Sequence, residues 1–71
     1  MNSEKKMRKA HRNELLRARG RLEEIRAQLD TAYLCFNDSV DPELTDACIY
    51  EINALRTRYD HILRHIKSIQ T

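Results

Sequence analysis

Several groups of side chains in this sequence have the types and spacing for chemistry. His61 and His65 stand four residues apart, one helical turn, so both imidazoles lie on the same side of a helix, the arrangement of a metal-binding pair. Two ligands leave a zinc ion short of its usual four. The third histidine, His11, belongs to a distant segment whose rotation toward the pair nothing fixes. The pair therefore reads as surface histidine, with no metal. Asp38, Asp41, Glu43 and Asp46 put four carboxylates within nine residues. They lack the spacing and the turn glycine of a calcium loop. Asp41 before Pro42 instead has the form of a helix N-cap, with Glu43 in the first turn where the helix dipole favours negative charge. Leu44 stands where a full capping box has Glu or Gln, so half of that signal is present. The acidic run is read as a solvated, capped turn.

Cys35 and Cys48 are the two thiols. A cysteine reacts as its thiolate, and no base lies close in sequence to lower either pKa, while the nearby acids raise it. Two cysteines and a polar, basic start (MNSEKKMRKAHR) predict reduced, packing thiols in a cytoplasmic protein and not a secreted disulfide framework. Under oxidation a bond between them would clip two helices together. No G-x-S-x-G, phosphate-cradling glycine loop or Cys/His nucleophile motif is present, so no catalytic activity, cofactor or small-molecule substrate is expected. Gly20, the single glycine, falls at an outward position and loosens its helix by about 1 kcal/mol relative to alanine.

Charge is unevenly spread over the 71 residues, whose formal net charge is +2. Residues 1–26 hold nine Lys/Arg against four Glu, and residues 27–60 hold two Arg against seven acids. The final eleven residues add two bases and no acid. The basic segment EKKMRKAHR supplies Lys5, Lys6, Arg8, Lys9 and Arg12 as candidate phosphate contacts, continued by Arg17, Arg19, Arg21 and Arg26 and joined by Arg64 and Lys67. Clustered cations suffice for salt-sensitive phosphate binding. Glu14, Glu23 and Glu24 interrupt the run, and it has no aromatic residue on which a base could stack.

The elements that must position these groups follow from one regularity. Apolar or small residues recur at Leu15, Ala18, Leu22, Ile25, Leu29, Ala32 and Phe36, at spacings alternating three and four, which is a coiled-coil seam. After the single proline the pattern resumes at Cys48, Ile52, Leu55, Tyr59, Ile62, Ile66 and Ile69 with the phase reversed. Pairing the two series outside-in, Leu15 with Ile69 through Phe36 with Cys48, makes every pair of numbers sum to 84. The fold-back then falls at Pro42. The predicted architecture is all-α, a two-helix antiparallel coiled-coil hairpin over residues 12–70, preceded by a basic tail over 1–11 that is either helical or not. Helix 1 is expected over about 12–36, a turn over 37–41 and helix 2 over about 42–69. No apolar run approaches the roughly 20 residues of a bilayer span.

A hairpin this thin leaves apolar residues outside its seam, and Leu16, Tyr33, Leu34, Ile49, Tyr50 and Leu63 are the expected partner-binding face. They serve self-association into a four-helix bundle, a homodimer, or contact with a different protein, unless they only widen the internal seam.

The run Asp41-Pro42-Glu43-Leu44, with Asp46, Ile49-Tyr50-Glu51, Asn53-Ala54-Leu55, Arg58-Tyr59 and a basic C-terminal turn, resembles the YaaL-like family of small bacterial proteins. The likeness covers about residues 12–67 and implies a bacterial cytoplasm, with no activity assigned to the family. The hairpin is also similar in form to the Spo0E-like aspartyl-phosphate phosphatases, whose second helix carries a Ser-Gln-Glu-Leu-Asp motif. Aligning the later aromatic with Tyr59 lays Ile49 to Asn53 across that motif, keeping Glu51 and putting Asn53 where the acid belongs. An amide cannot take a proton as a carboxylate does. The expectation is a small cytoplasmic interaction or regulatory module. The alternatives are nucleic-acid or anionic-surface binding through the basic end, and a phosphatase relative that docks on a response regulator.

Overall fold

The computed structural model describes residues 2–70, which form two α-helices and no strand. Helix α1 spans Asn2–Asp38 and helix α2 spans Pro42–Gln70, and the two run antiparallel as one rod 61 × 15 × 12 Å. The all-α hairpin expected from the seam is what the chain forms.

The core is the seam. Ala18, Ile25 and Ala32 of α1 are buried against Ile52, Leu55, Ile62, Ile66 and Ile69 of α2, with Leu15, Leu22, Leu29 and Tyr59 half-buried around them. Leu55, 1% exposed, is the best-covered large side chain. A large residue faces a small one at Ala18 and Ala32, so the layers keep a similar thickness and the helices stay close along their length.

The last layer departs from the expected register. Phe36 was assigned to face Cys48, yet it is 38% exposed, and Cys35, one residue earlier, is bonded to Cys48 in a disulfide with a Cα–Cα distance of 6.2 Å. That separation lies in the ordinary range for bridged cysteines. The expectation of two reduced, packing thiols is corrected here. Cys35 and Phe36 straddle the seam, and Cys35, bonded to Cys48, is the more covered of the two.

The corner is shorter than the composition of residues 37–41 suggested. Asn37 and Asp38 stay in α1, whose final turn is closed by the Ser39 amide donating to the Cys35 carbonyl at 3.0 Å. Asp41 caps α2: its Oδ1 accepts from the Glu43 amide at 3.0 Å, and its carbonyl accepts from the Thr45 amide at 2.9 Å. The Ser39 hydroxyl donates to that same carbonyl (3.1 Å), and the Thr45 hydroxyl donates to the Ser39 Oγ (3.1 Å), tying both sides of the corner together.

At the other end α1 begins at Asn2, ten residues before the expected start at 12, because Glu, Lys, Met, Arg and Ala are all good helix formers. At 1.5 Å per residue α1 is about 55 Å long and α2 about 43 Å. α2 ends beside His11, whose Nε2 hydrogen-bonds the Ile69 carbonyl, so residues 2–10 of α1 run on past α2 as a lone helix. No helix among the described residues is long and apolar enough to cross a membrane.

Candidate interaction surface

Labelling the seam of each helix a and d, with Leu15 at a and Cys48 at d, leaves e and b positions along one side of the rod and g and c positions along the other. The geometry follows this division. Glu14 and His65, both g residues, meet across the seam with Oε1 and Nε2 3.2 Å apart. On the opposite side a groove of about 400 Å³ is lined by Leu29, Tyr33, Arg56, Tyr59 and Asp60, including the e residues Tyr33 and Arg56.

The six apolar residues expected to bind a partner separate accordingly. Tyr33, Ile49 and Leu63 occupy e positions and Leu16 a b position, so these four share one side. Ile49 is 40% exposed, Leu16 and Tyr33 are also exposed, and Leu63 is half-buried. Leu34 and Tyr50, 62% and 75% exposed, stand at the outward f positions on the backs of α1 and α2. The structure does not bring them together with the other four.

The g and c side holds a groove that the apolar tally did not single out. About 510 Å³ in volume, it lies beside the disulfide and is lined by small side chains, Ala27, Thr31 and Ala47, with Leu44 and Glu51 at its margins. Small residues at c and f positions were the available signal, because they leave a trough beside a seam of larger ones. Glu51, the carboxylate retained from the phosphatase comparison, therefore opens onto an apolar groove, and Asn53 is an exposed b residue on the other side.

Charge divides the rod across its length. All thirteen Lys and Arg lie in residues 5–26 and 56–67, while residues 27–55 carry six of the eleven acids and no base. Because helix 1 and helix 2 are paired, both boundaries fall beside the Ile25–Tyr59 layer. The corner third has a formal charge of −6 and the open two-thirds +8, which together give the chain's +2. The candidate phosphate contacts Lys5, Lys6, Arg8, Lys9 and Arg12 are all exposed, the first four on the lone stretch of α1. Among the described residues the close contacts between basic and acidic side chains are His65 with Glu14 and the exposed Arg26 with Glu23 at 3.9 Å. Among the described residues the corner acids thus have no basic partner. His11 and His65 are engaged with Ile69 and Glu14, and among the described residues no three His, Cys, Asp or Glu side chains are grouped to hold a metal ion.

The sequence model of a family described as "Protein of unknown function (DUF2508)" matches residues 1–71. The chain belongs to this family. No curated protein and no solved structure matches it. The geometry of this DUF2508 chain is therefore the ground for its function: two grooved sides, one with four exposed or half-buried apolar residues, and a rod with opposite charge at its two ends.

Proposed function

We propose that this protein is a small interaction module, placed in a bacterial cytoplasm by the YaaL-like resemblance, that regulates by docking on a protein through Leu16, Tyr33, Ile49 and Leu63 and performs no covalent chemistry. The observation that carries this reading is the surplus on the e and b side. The seam is already complete without these four residues, which share one side of the rod, while Leu34 and Tyr50 lie on its backs and Leu44 on the other side. Exposed apolar area rimmed by charge is the usual composition of a protein contact. The charges here are Arg19, and Arg26, Arg56 and Asp60 in a band between the Tyr33–Ile49 and Leu16–Leu63 ends of the face.

A second reading rests on the lone helix at residues 2–10, whose cations have no neighbouring helix to serve: binding to nucleic acid or another anionic surface. One experiment separates the two. The tagged protein is cross-linked and captured from its native cytoplasm with and without nuclease, at low and high salt. It is compared with the double variant Ile49→Lys/Leu63→Lys and with the variant changing Lys5, Lys6, Arg8 and Lys9 to Gln. The module reading expects a protein that survives nuclease and salt, is lost in the Ile49→Lys/Leu63→Lys variant and is retained by the Gln variant. Recovery that collapses with nuclease or salt and with the Gln substitutions overturns it in favour of the basic end.

A further inference from the structure

We infer that the partner on the e and b side is a second copy of this chain, docked antiparallel so that the acidic corner of each hairpin lies beside the basic open end of the other. This rests on the interaction reading above and names its occupant. The first ground is charge. A corner of −6 and an open region of +8 on one rod are complementary when two rods lie side by side in opposite directions, and Asp30 and Asp46 place two of the six corner acids on the e and b side. A parallel pair would set like charge against like along its whole length, which is strongly disfavoured. A polyanion would satisfy the basic end and leave the six corner acids without a role.

The second ground is register. Take the midpoint of an antiparallel pair between the Leu29–Leu55 and Ile25–Tyr59 layers, where the groove lined by Tyr33, Arg56, Tyr59 and Asp60 lies. Tyr33 and Ile49 then sit about 9–12 Å from it on the corner side, and Leu63 about 9 Å from it on the open side, with Leu16 beyond. A twofold axis at this midpoint places Tyr33 and Ile49 of one copy against Leu63 and Leu16 of the other. The contact is self-complementary, as a twofold interface requires. The central band carries Arg26 and Arg56 with Asp30 and Asp60, two of each sign. Towards the ends, Asp46 of one copy comes level with Lys67 of the other. The charge pattern and the apolar pattern thus select the same orientation and the same midpoint.

The test is the molar mass of the purified full chain by light scattering over a concentration series, with circular dichroism as a check on folding. The expected mass is twice the 8.4 kDa of the chain. Asp46→Lys alone and Lys67→Asp alone each weaken the dimer about tenfold, since each pair occurs twice, and the combined Asp46→Lys/Lys67→Asp variant returns to within about threefold of the parent. All these positions are exposed, so the variants keep their helices. A helical protein of single-chain mass at every concentration overturns the inference, as does a dimer that the combined variant fails to restore. A monomer whose mass rises only on adding RNA overturns it in favour of a polyanion. A monomer that still captures a different protein through Ile49 and Leu63 sinks the second-copy assignment while leaving the module reading intact.

Discussion

Reducing the Cys35–Cys48 disulfide removes the one covalent link between the helices, and its effect can be worked from the chain. The two cysteines are 13 residues apart in sequence, so the bond closes a short loop around the corner. Chain-entropy reasoning gives about 3 kcal/mol of stabilisation for a loop near this length, through restriction of the unfolded chain. For a domain of this size each kcal/mol shifts the midpoint by about 4–8 °C, so reduction lowers Tm by roughly 12–24 °C. Cys48 is buried, and reduction leaves both sulfurs in place, so the comparison isolates the bond from the packing. The assay is thermal unfolding by far-UV circular dichroism with and without reductant, at a single protein concentration because association would also move Tm. The Cys35→Ser variant, insensitive to reductant, serves as control. Oxidised and reduced protein melting within about 2 °C of each other would refute the reasoning, since that corresponds to less than about 0.5 kcal/mol. The corner would then be held by Asp41 and the seam alone.

Substitutions at three other positions probe the hairpin. Leu55→Ala should cost about 3 kcal/mol, near the lower end for buried leucine because a two-helix core collapses readily, seen as a lower urea midpoint with unchanged slope. Asp41→Ala should cost about 1 kcal/mol by removing the acceptor of the Glu43 amide, while Asp41→Asn should cost only a few tenths, measured in the same denaturant series. Gly20→Ala should stabilise by about 1 kcal/mol, because the added methyl meets nothing within 4 Å and alanine favours the helix, read as a higher Tm with the same molar mass.

Much of this fold is legible in the sequence because a hairpin has only one internal contact surface. A seam spaced three and four, reversed in phase after a proline, leaves few other ways to bury Ile25, Ile52, Ile62 and Ile66, and those residues are the core. The pattern could not choose between Cys35 and Phe36. Both flank the seam, hydrophobicity favours the phenylalanine, and the bond to Cys48 is made by Cys35. Helix length was likewise hidden: residues 2–10 have no apolar rhythm, and their helicity comes from propensity and from continuity with the turns that follow. The candidate surface was partly readable. Exposure of Leu16, Tyr33, Leu34, Ile49 and Tyr50 follows from their lying outside the seam, but which of them share a side depends on e residues of one helix facing e residues of the other. Leu34 and Tyr50 fall on the two backs for that reason. The transverse division of charge was readable too, because a fold-back at Pro42 brings the two basic ends together and leaves the acidic segment at the corner.

The central claim is that the e and b side of the rod is the contact surface. The most direct measurement places a photo-cross-linking residue at Tyr33, and separately at Tyr50 on the back of α2, in the full chain inside its native cells. The account predicts a discrete protein adduct from position 33, with Tyr50 giving none above background. Adducts from position 50 with none from position 33 would contradict it, and would move the functional surface to the back of the second helix.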